Sequence, residues 1–170
     1  MGPSRLTLDK PVIAAIAGPA VAGGMELALL ADMRVMEKSA YMGVFSRRWG
    51  IPLIDGGTVR LPRLVGEGRA MDIILTGRKL DAEECLRIGL CEYVVDNGKS
   101  RQKAEELAHK IASFPQSCLR TDRKSVLNQH SLDFNDALRR EWGNGKDEMA
   151  RGGIDGASRF VKGAGRHGKF

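Results

Sequence analysis

The stretch KPVIAAIAGPAVAGGMELALLAD, from Lys10 to Asp32, decides how this chain folds. Pro11 to Ala17 is a short apolar run with Val and Ile, bounded by Lys10 and Gly18. Its length and composition predict a buried strand. Gly18-Pro19 breaks the pattern. Beyond Gly23-Gly24, Met25 to Ala31 consists of strong helix formers. Met33 to Met36 then returns as a strand. This alternation of strand, glycine turn, helix and strand is the signature of an α/β fold.

Working outward, a second glycine turn, Asp55-Gly56-Gly57-Thr58, precedes a helical Val59-Arg60-Leu61. Asp55 is placed to cap that helix with its carboxylate, and Pro62 predicts that the helix is short or kinked. Glu67 to Leu75 reads as a helix closed by Gly77. Asp81-Ala82-Glu83-Glu84 has the spacing of a capping box for a short helix ending at Gly89. Cys91 to Val95 reads as a strand. From Arg101 the chain turns helical, with Ala104, Leu107, Ala108 and Ile111 forming one apolar stripe. Pro115 separates this helix from two further ones, around Cys118–Leu127 and Leu132–Met149, the last broken at Gly143 and Gly145. The expected organisation is an α/β core over 1–98 and a helical region over 99–170.

A chain of 170 residues can bury a real core, and 42% hydrophobic against 28% charged residues excludes a disordered one. No apolar run approaches the ~18 residues needed to span a membrane. Cys85, Cys91 and Cys118 lack C-x-x-C spacing. That argues against a zinc site or a disulfide framework and fits a reducing compartment. No His/Asp/Glu cluster has metal spacing, so no metal is expected. The net charge is +6, of which Arg139 to Phe170 supplies +4 along with eight of the 21 glycines. Such a basic tail either is solvated or meets an anionic ligand: a phosphorylated cofactor, a neighbouring subunit or nucleic acid.

The chemistry-bearing candidate lies in the opening stretch. A glycine turn feeding a helix aims backbone N–H groups outward at the positive end of the helix dipole, which suits a developing oxyanion. Glu26, in the first turn, is either a general acid/base or an ordinary helix-start carboxylate. Ser46 lacks a G-x-S-x-G context, so a serine-hydrolase reading is disfavoured. Trp49, beside Arg47-Arg48, fits an acyl pocket or an interface. His109 reads as a surface residue.

Lys10–Ala28, Asp32-Met-Arg-Val, Gly56-Gly-Thr-Val-Arg-Leu-Pro-Arg-Leu-Val-Gly66, Ala70-Met, Leu75-Thr-Gly-Arg78, and Ala82 through Gly89-Leu90 with Val94-Val95 together resemble the crotonase (enoyl-CoA hydratase/isomerase) superfamily. The resemblance implies the C-terminal portion of a crotonase-like ββα superhelix followed by a helical C-terminal region. It implies an acyl-coenzyme A thioester as substrate, held as an enolate, with coenzyme A part of the substrate and no separate cofactor. It gives Gly23 the role of an oxyanion-hole N–H donor and Glu26 that of the first catalytic carboxylate, with Ala22 and Gly24 lining the substrate. Hydratases carry a second glutamate where this chain has Ser46, so Ser46 becomes a substrate contact and Asp55 the candidate second acid. Arg159, Lys162 and Arg166 are candidates for the coenzyme's phosphates. A trimer or dimer of trimers is implied, without a membrane. Family members also carry a preceding region that supplies the other oxyanion N–H, and this chain is expected to have little turnover by itself. The competing reading is a non-catalytic acyl-coenzyme A-binding or assembly protein on the same fold. RNA binding through the basic tail ranks behind it, because no RNA-recognition motif is visible.

Overall fold

The computed structural model describes residues 2–165. They form two compact units that meet in sequence between Ile111 and Ala112.

The first unit is built from short strands that pass alternately to one sheet and then another. β1 (Ile13–Ile16) and β2 (Pro19–Val21) lead into α1 (Gly23–Ala28). β3 (Met33–Glu37) and β4 (Tyr41–Gly43) lead, through a 3-10 turn over Phe45–Trp49, into α2 (Gly57–Val65) and α3 (Glu67–Thr76). β5 (Leu80–Asp81), α4 (Ala82–Arg87), β6 (Tyr93–Val95) and α5 (Ser100–Ala112) complete the order. One sheet runs β1-β3-β6, all parallel; the other runs β2-β4-β5, parallel and then antiparallel. This is a mixed α/β fold followed by a helical region, as the sequence predicts.

The core lies between the sheets and α1–α4. Met25, Met36, Met42, Leu61, Ile73, Leu80 and Leu90 are fully buried. Unbranched methionines fill irregular gaps between strands too short to interlock β-branched ladders. Gly77 closes α3 in the left-handed conformation, and Asp81 caps α4 by accepting from the Glu84 amide at 2.8 Å. Both agree with the sequence reading.

Three expectations change. Asp55 does not cap α2: the helix starts at Gly57 behind a left-handed Gly56, with no side-chain cap, and the Asp55 carboxylate is used elsewhere. Pro62 sits inside α2 without stopping it; near the end of a short helix it removes one N–H, and its carbonyl still accepts from Gly66. Gly143 and Gly145 lie within a continuous helix. Each glycine costs about 1 kcal/mol there, which packing against the neighbouring helix offsets.

The second unit holds α6 (Gln116–Asn128), α7 (Phe134–Glu148), a π-helical turn over Met149–Gly153 and α8 (Ile154–Val161). α6 and α7 pack on each other, and Asn144 donates to Ser125 Oγ at 3.4 Å. None of the three helices has a fully buried residue, and Phe134 and Trp142 are largely exposed.

Candidate active site

The site starts with a strained turn. β2 ends at Val21, and Ala22 turns the chain with φ 52° and ψ −124°. It is the sole non-glycine residue with positive φ among the described residues. Such a conformation costs about 1–3 kcal/mol and persists only where surrounding structure imposes it. Here the Ala22 amide donates to the Gly43 carbonyl at 2.9 Å, and its carbonyl accepts from the Glu26 amide at 3.1 Å. The turn makes Gly23 the first helical residue, whose N–H has no acceptor four residues back. Gly23 and Gly24 are exposed, and a Cβ built on either meets nothing within 4 Å. No steric demand within this chain therefore calls for glycine at these two positions.

Glu26 lies one turn further along and is only 4% exposed. Its Oε1 accepts two backbone hydrogen bonds, from Asp55 N at 2.9 Å and Gly57 N at 2.8 Å. The carboxylate thus fastens the loop before α2 onto α1, two segments about thirty positions apart in the chain. Oε2 takes no hydrogen bond among the described residues and is not sealed from solvent. One oxygen is fixed and the other takes no hydrogen bond, which leaves it able to carry a proton.

Asp55 is half-buried beside Glu26. Its Oδ1 accepts from Ser4 Oγ at 2.8 Å. Arg60 donates to the Asp55 carbonyl at 3.0 Å and to the Ser4 carbonyl at 2.6 Å. Ser4 and Arg60 are loop-holding residues that the sequence reading missed. Ser4 carries no motif, and its partner lies 51 positions away.

The other candidates fall elsewhere. Ser46 is buried, and its Oγ is the one sealed polar side-chain atom without a partner among the described residues. Arg159 and Lys162 belong to the second unit, on α8 and just after it, and both are exposed. Arg166 lies outside the described residues. No group of three metal-ligating side chains comes together among the described residues, and no helix there is long and apolar enough to cross a membrane. Cys85 and Cys91 are buried free thiols, pushed up to about 12 and about 11 mainly by burial, which makes them poor nucleophiles.

Glu37 ends β3 and holds the start of α5, accepting from Ser100 Oγ at 2.8 Å and Ser100 N at 3.2 Å. The Gly98 amide and then the Ser100 hydroxyl hold its carboxyl below the usual carboxylate range. A carboxyl lowered by folding stabilises the fold above its unfolded pKa of about 4.3 and stops doing so as pH falls through its folded value. The urea midpoint should therefore drop as pH is lowered below about 4.3, with a shallower drop in Glu37→Gln. Some slope should survive in that variant, because Arg78 holds Glu84 low in the same direction. An unchanged pH profile in Glu37→Gln would remove Glu37 from the account.

Residues 4–154 match the family model described as enoyl-CoA hydratase/isomerase. The chain belongs to that family. It is 35% identical over 145 residues to the enoyl-CoA hydratase EchA19 of Mycobacterium tuberculosis, covering 81% of this chain and 54% of that protein. It is 38% identical over 131 residues to the short-chain-enoyl-CoA hydratase of Clostridium acetobutylicum, covering 77% of this chain and 50% of that one. Among solved structures, the enoyl-CoA hydratase of Bacillus anthracis superposes with a TM-score of 0.86 at 37% identity, over 92% of this chain and 61% of that one. The chain thus spans about half the length of these curated members of the enoyl-CoA hydratase/isomerase family.

Proposed function

We propose that this chain carries the proton-transferring part of an enoyl-coenzyme A hydratase/isomerase site. Glu26 is the acid/base and the Gly23 N–H is one oxyanion donor. The observation that carries the reading is the Glu26 carboxylate, pinned through Oε1 by two amides and without a hydrogen bond at Oε2, in the first turn of a helix that begins with two exposed glycines. In the reaction, Glu26 removes a proton from the acyl chain while the thioester oxygen gains negative charge beside Gly23. Ala22 and Gly24 flank that oxygen. Asp55, joined to Glu26 through the loop backbone, is the second acid. Ser46 stands where a second glutamate would and is a poor proton carrier, which disfavours hydration by a pair of glutamates.

Arg159 and Lys162 are proposed contacts for the coenzyme's phosphates, and coenzyme A enters as part of the substrate. Assembly as a trimer or dimer of trimers is part of the proposal. The exposed Phe134 and Trp142 support it, because large aromatic side chains concentrate at interfaces.

The test is exchange of the α-protons of butanoyl-coenzyme A in heavy water, followed by proton NMR, with binding measured by calorimetry. Exchange above the buffer rate is expected. Binding without exchange would instead support the acyl-coenzyme A-binding or assembly reading, which Ser46 in place of a second glutamate motivates. Neither binding nor exchange would overturn both.

A further inference from the structure

Cys85 and Cys91 are two buried thiols that the proposed chemistry leaves unused. They stand six positions apart in the chain, and the fold brings them together. Cys85 lies on α4. Beyond the helix the backbone turns back at the left-handed Gly89. The Cys85 carbonyl then accepts from the Leu90 amide at 2.8 Å and from the Cys91 amide at 3.2 Å. With ordinary backbone dimensions, the second contact holds the two Cα atoms within about 7 Å of each other. The usual span across a disulfide is about 4.4–6.8 Å.

The side chains share one corner of the core. Cys85 is 0% and Cys91 2% exposed, and both belong to the same cluster of buried apolar residues. The Cys85 Sγ faces the Leu80 carbonyl and the Cys91 Sγ faces the Ala82 carbonyl, each at 3.9 Å. Ala82 precedes Cys85 by three positions on α4, so the two lie on one face of the helix. The Cys91 sulfur that meets the Ala82 carbonyl is therefore beside the Cys85 side chain. After burial, the Cys91 sulfur is the largest influence raising the Cys85 thiol, a further mark of their closeness. Thiols are weak donors, so little hydrogen bonding is lost when both protons leave.

We propose that Cys85 and Cys91 are an oxidisable pair, joined by an intrachain disulfide when a small-molecule disulfide such as oxidised glutathione is the oxidant. One cysteine sulfur attacks the small disulfide, forms a mixed disulfide and releases one small thiol. The other cysteine then displaces the second small thiol. Two S–H bonds are lost and one S–S bond forms between Cys85 and Cys91. The two electrons and two protons end on the two small thiols released. Both cysteines are sealed in the closed fold, so exchange proceeds through opening of the turn between α4 and β6. The closed fold shields the pair from brief exposure to oxidant. The bond, once made, ties α4 to the segment that enters β6 and holds that turn shut. The chemistry assigned to Glu26 plays no part in this inference.

The experiment uses the full chain with Cys118→Ser, which removes the exposed thiol. The protein is equilibrated in glutathione redox buffers with and without denaturing urea, quenched, alkylated and digested with trypsin. Cleavage after Lys79, Arg87 and Lys99 puts the two cysteines on separate peptides, 80–87 and 88–99. Mass spectrometry reads the disulfide as the linked pair, lighter by two hydrogens than the free peptides together. The effective concentration of one thiol at the other should be at least about tenfold higher in the folded chain than in urea. The same factor should raise the urea midpoint of the oxidised chain above that of the reduced one. If Cys118→Ser fails to fold, the unsubstituted chain gives the same readout, because Cys118 falls on another tryptic peptide, 111–120. An effective concentration no higher in the folded chain than in urea overturns the proposal. So does a pairing of Cys118 with either cysteine in place of the Cys85–Cys91 bond, or loss of native circular dichroism in the oxidised chain. No readout depends on turnover, so failure here is distinct from failure of the catalytic reading.

Discussion

Arg34→Ala is expected to lower the free energy of unfolding by about 3–5 kcal/mol, a large share of what a domain of this size has. Arg34 lies on β3, points inward and is 1% exposed. Its guanidinium donates from Nε to the Leu90 carbonyl at 2.8 Å and from Nη1 to the Ala31 carbonyl at 2.7 Å. Nη2 pairs with Glu92 Oε1 at 2.7 Å, and a second Glu92 oxygen accepts the Arg34 amide. One side chain therefore ties the segment after α1 to the segment before β6. Alanine removes the charge, leaves two carbonyls without donors and opens a cavity, three costs that act in the same direction. Glu92→Gln should also be destabilising, because it leaves the buried Arg34 guanidinium without a counter-charge, although the Leu90 and Ala31 carbonyls still accept from it. Urea unfolding of the two single variants and the double variant measures both losses and their coupling. A loss below about 1 kcal/mol in Arg34→Ala would mean that the guanidinium contributes little beyond its volume.

Arg34 also shows where sequence reading stops. A charged residue in Met33–Met36 left the strand assignment intact, since Val35 and Met36 supply its apolar content. Nothing along the chain pointed to Glu92, 58 positions away. What could be read was local. The β1-to-α1 glycine turn, the Gly77 cap, the Asp81 cap and the helical tail follow from residue types within a turn of one another. β2, β4 and β5 were missed because they span two or three residues, too few for any periodicity to register. They are strands because neighbours pair with them, and that is a tertiary fact.

The site divides along the same line. Gly23 and Glu26 stand in one turn and were visible together. Asp55 was visible as an acid beside a glycine turn, but the capping expected of it does not occur: the carboxylate turns to Ser4 rather than to the helix start. The two-amide grip of Asp55 and Gly57 on Glu26 spans about thirty positions and could not be read from either segment. That grip separates a carboxylate that merely starts a helix from one held for use. Sequence alone left those two readings open.

Glu26→Gln should reduce α-proton exchange by a factor on the order of 10²–10⁴ while leaving stability within about 1 kcal/mol. Glutamine keeps the size of the side chain, and its carbonyl oxygen can still accept from Asp55 N and Gly57 N, so the loop before α2 stays fastened. What disappears is the capacity to carry a proton at the open oxygen. Glu26→Ala should do more, since the buried Gly57 amide loses its acceptor at about 1–3 kcal/mol and the part-buried Asp55 amide loses its acceptor too. Gly57→Ala probes the same contact from the other side. A methyl built there would lie 3.0 Å from both Glu26 Cγ and Oε1. It should displace the carboxylate and slow exchange while leaving its charge in place. Exchange rates and urea midpoints for the three variants then separate chemistry from scaffolding. A rate lost in Glu26→Gln at unchanged stability places proton transfer on this side chain. Equal rates in Glu26→Gln and the parent would make Glu26 a loop anchor and leave Asp55 as the remaining carboxylate of the site.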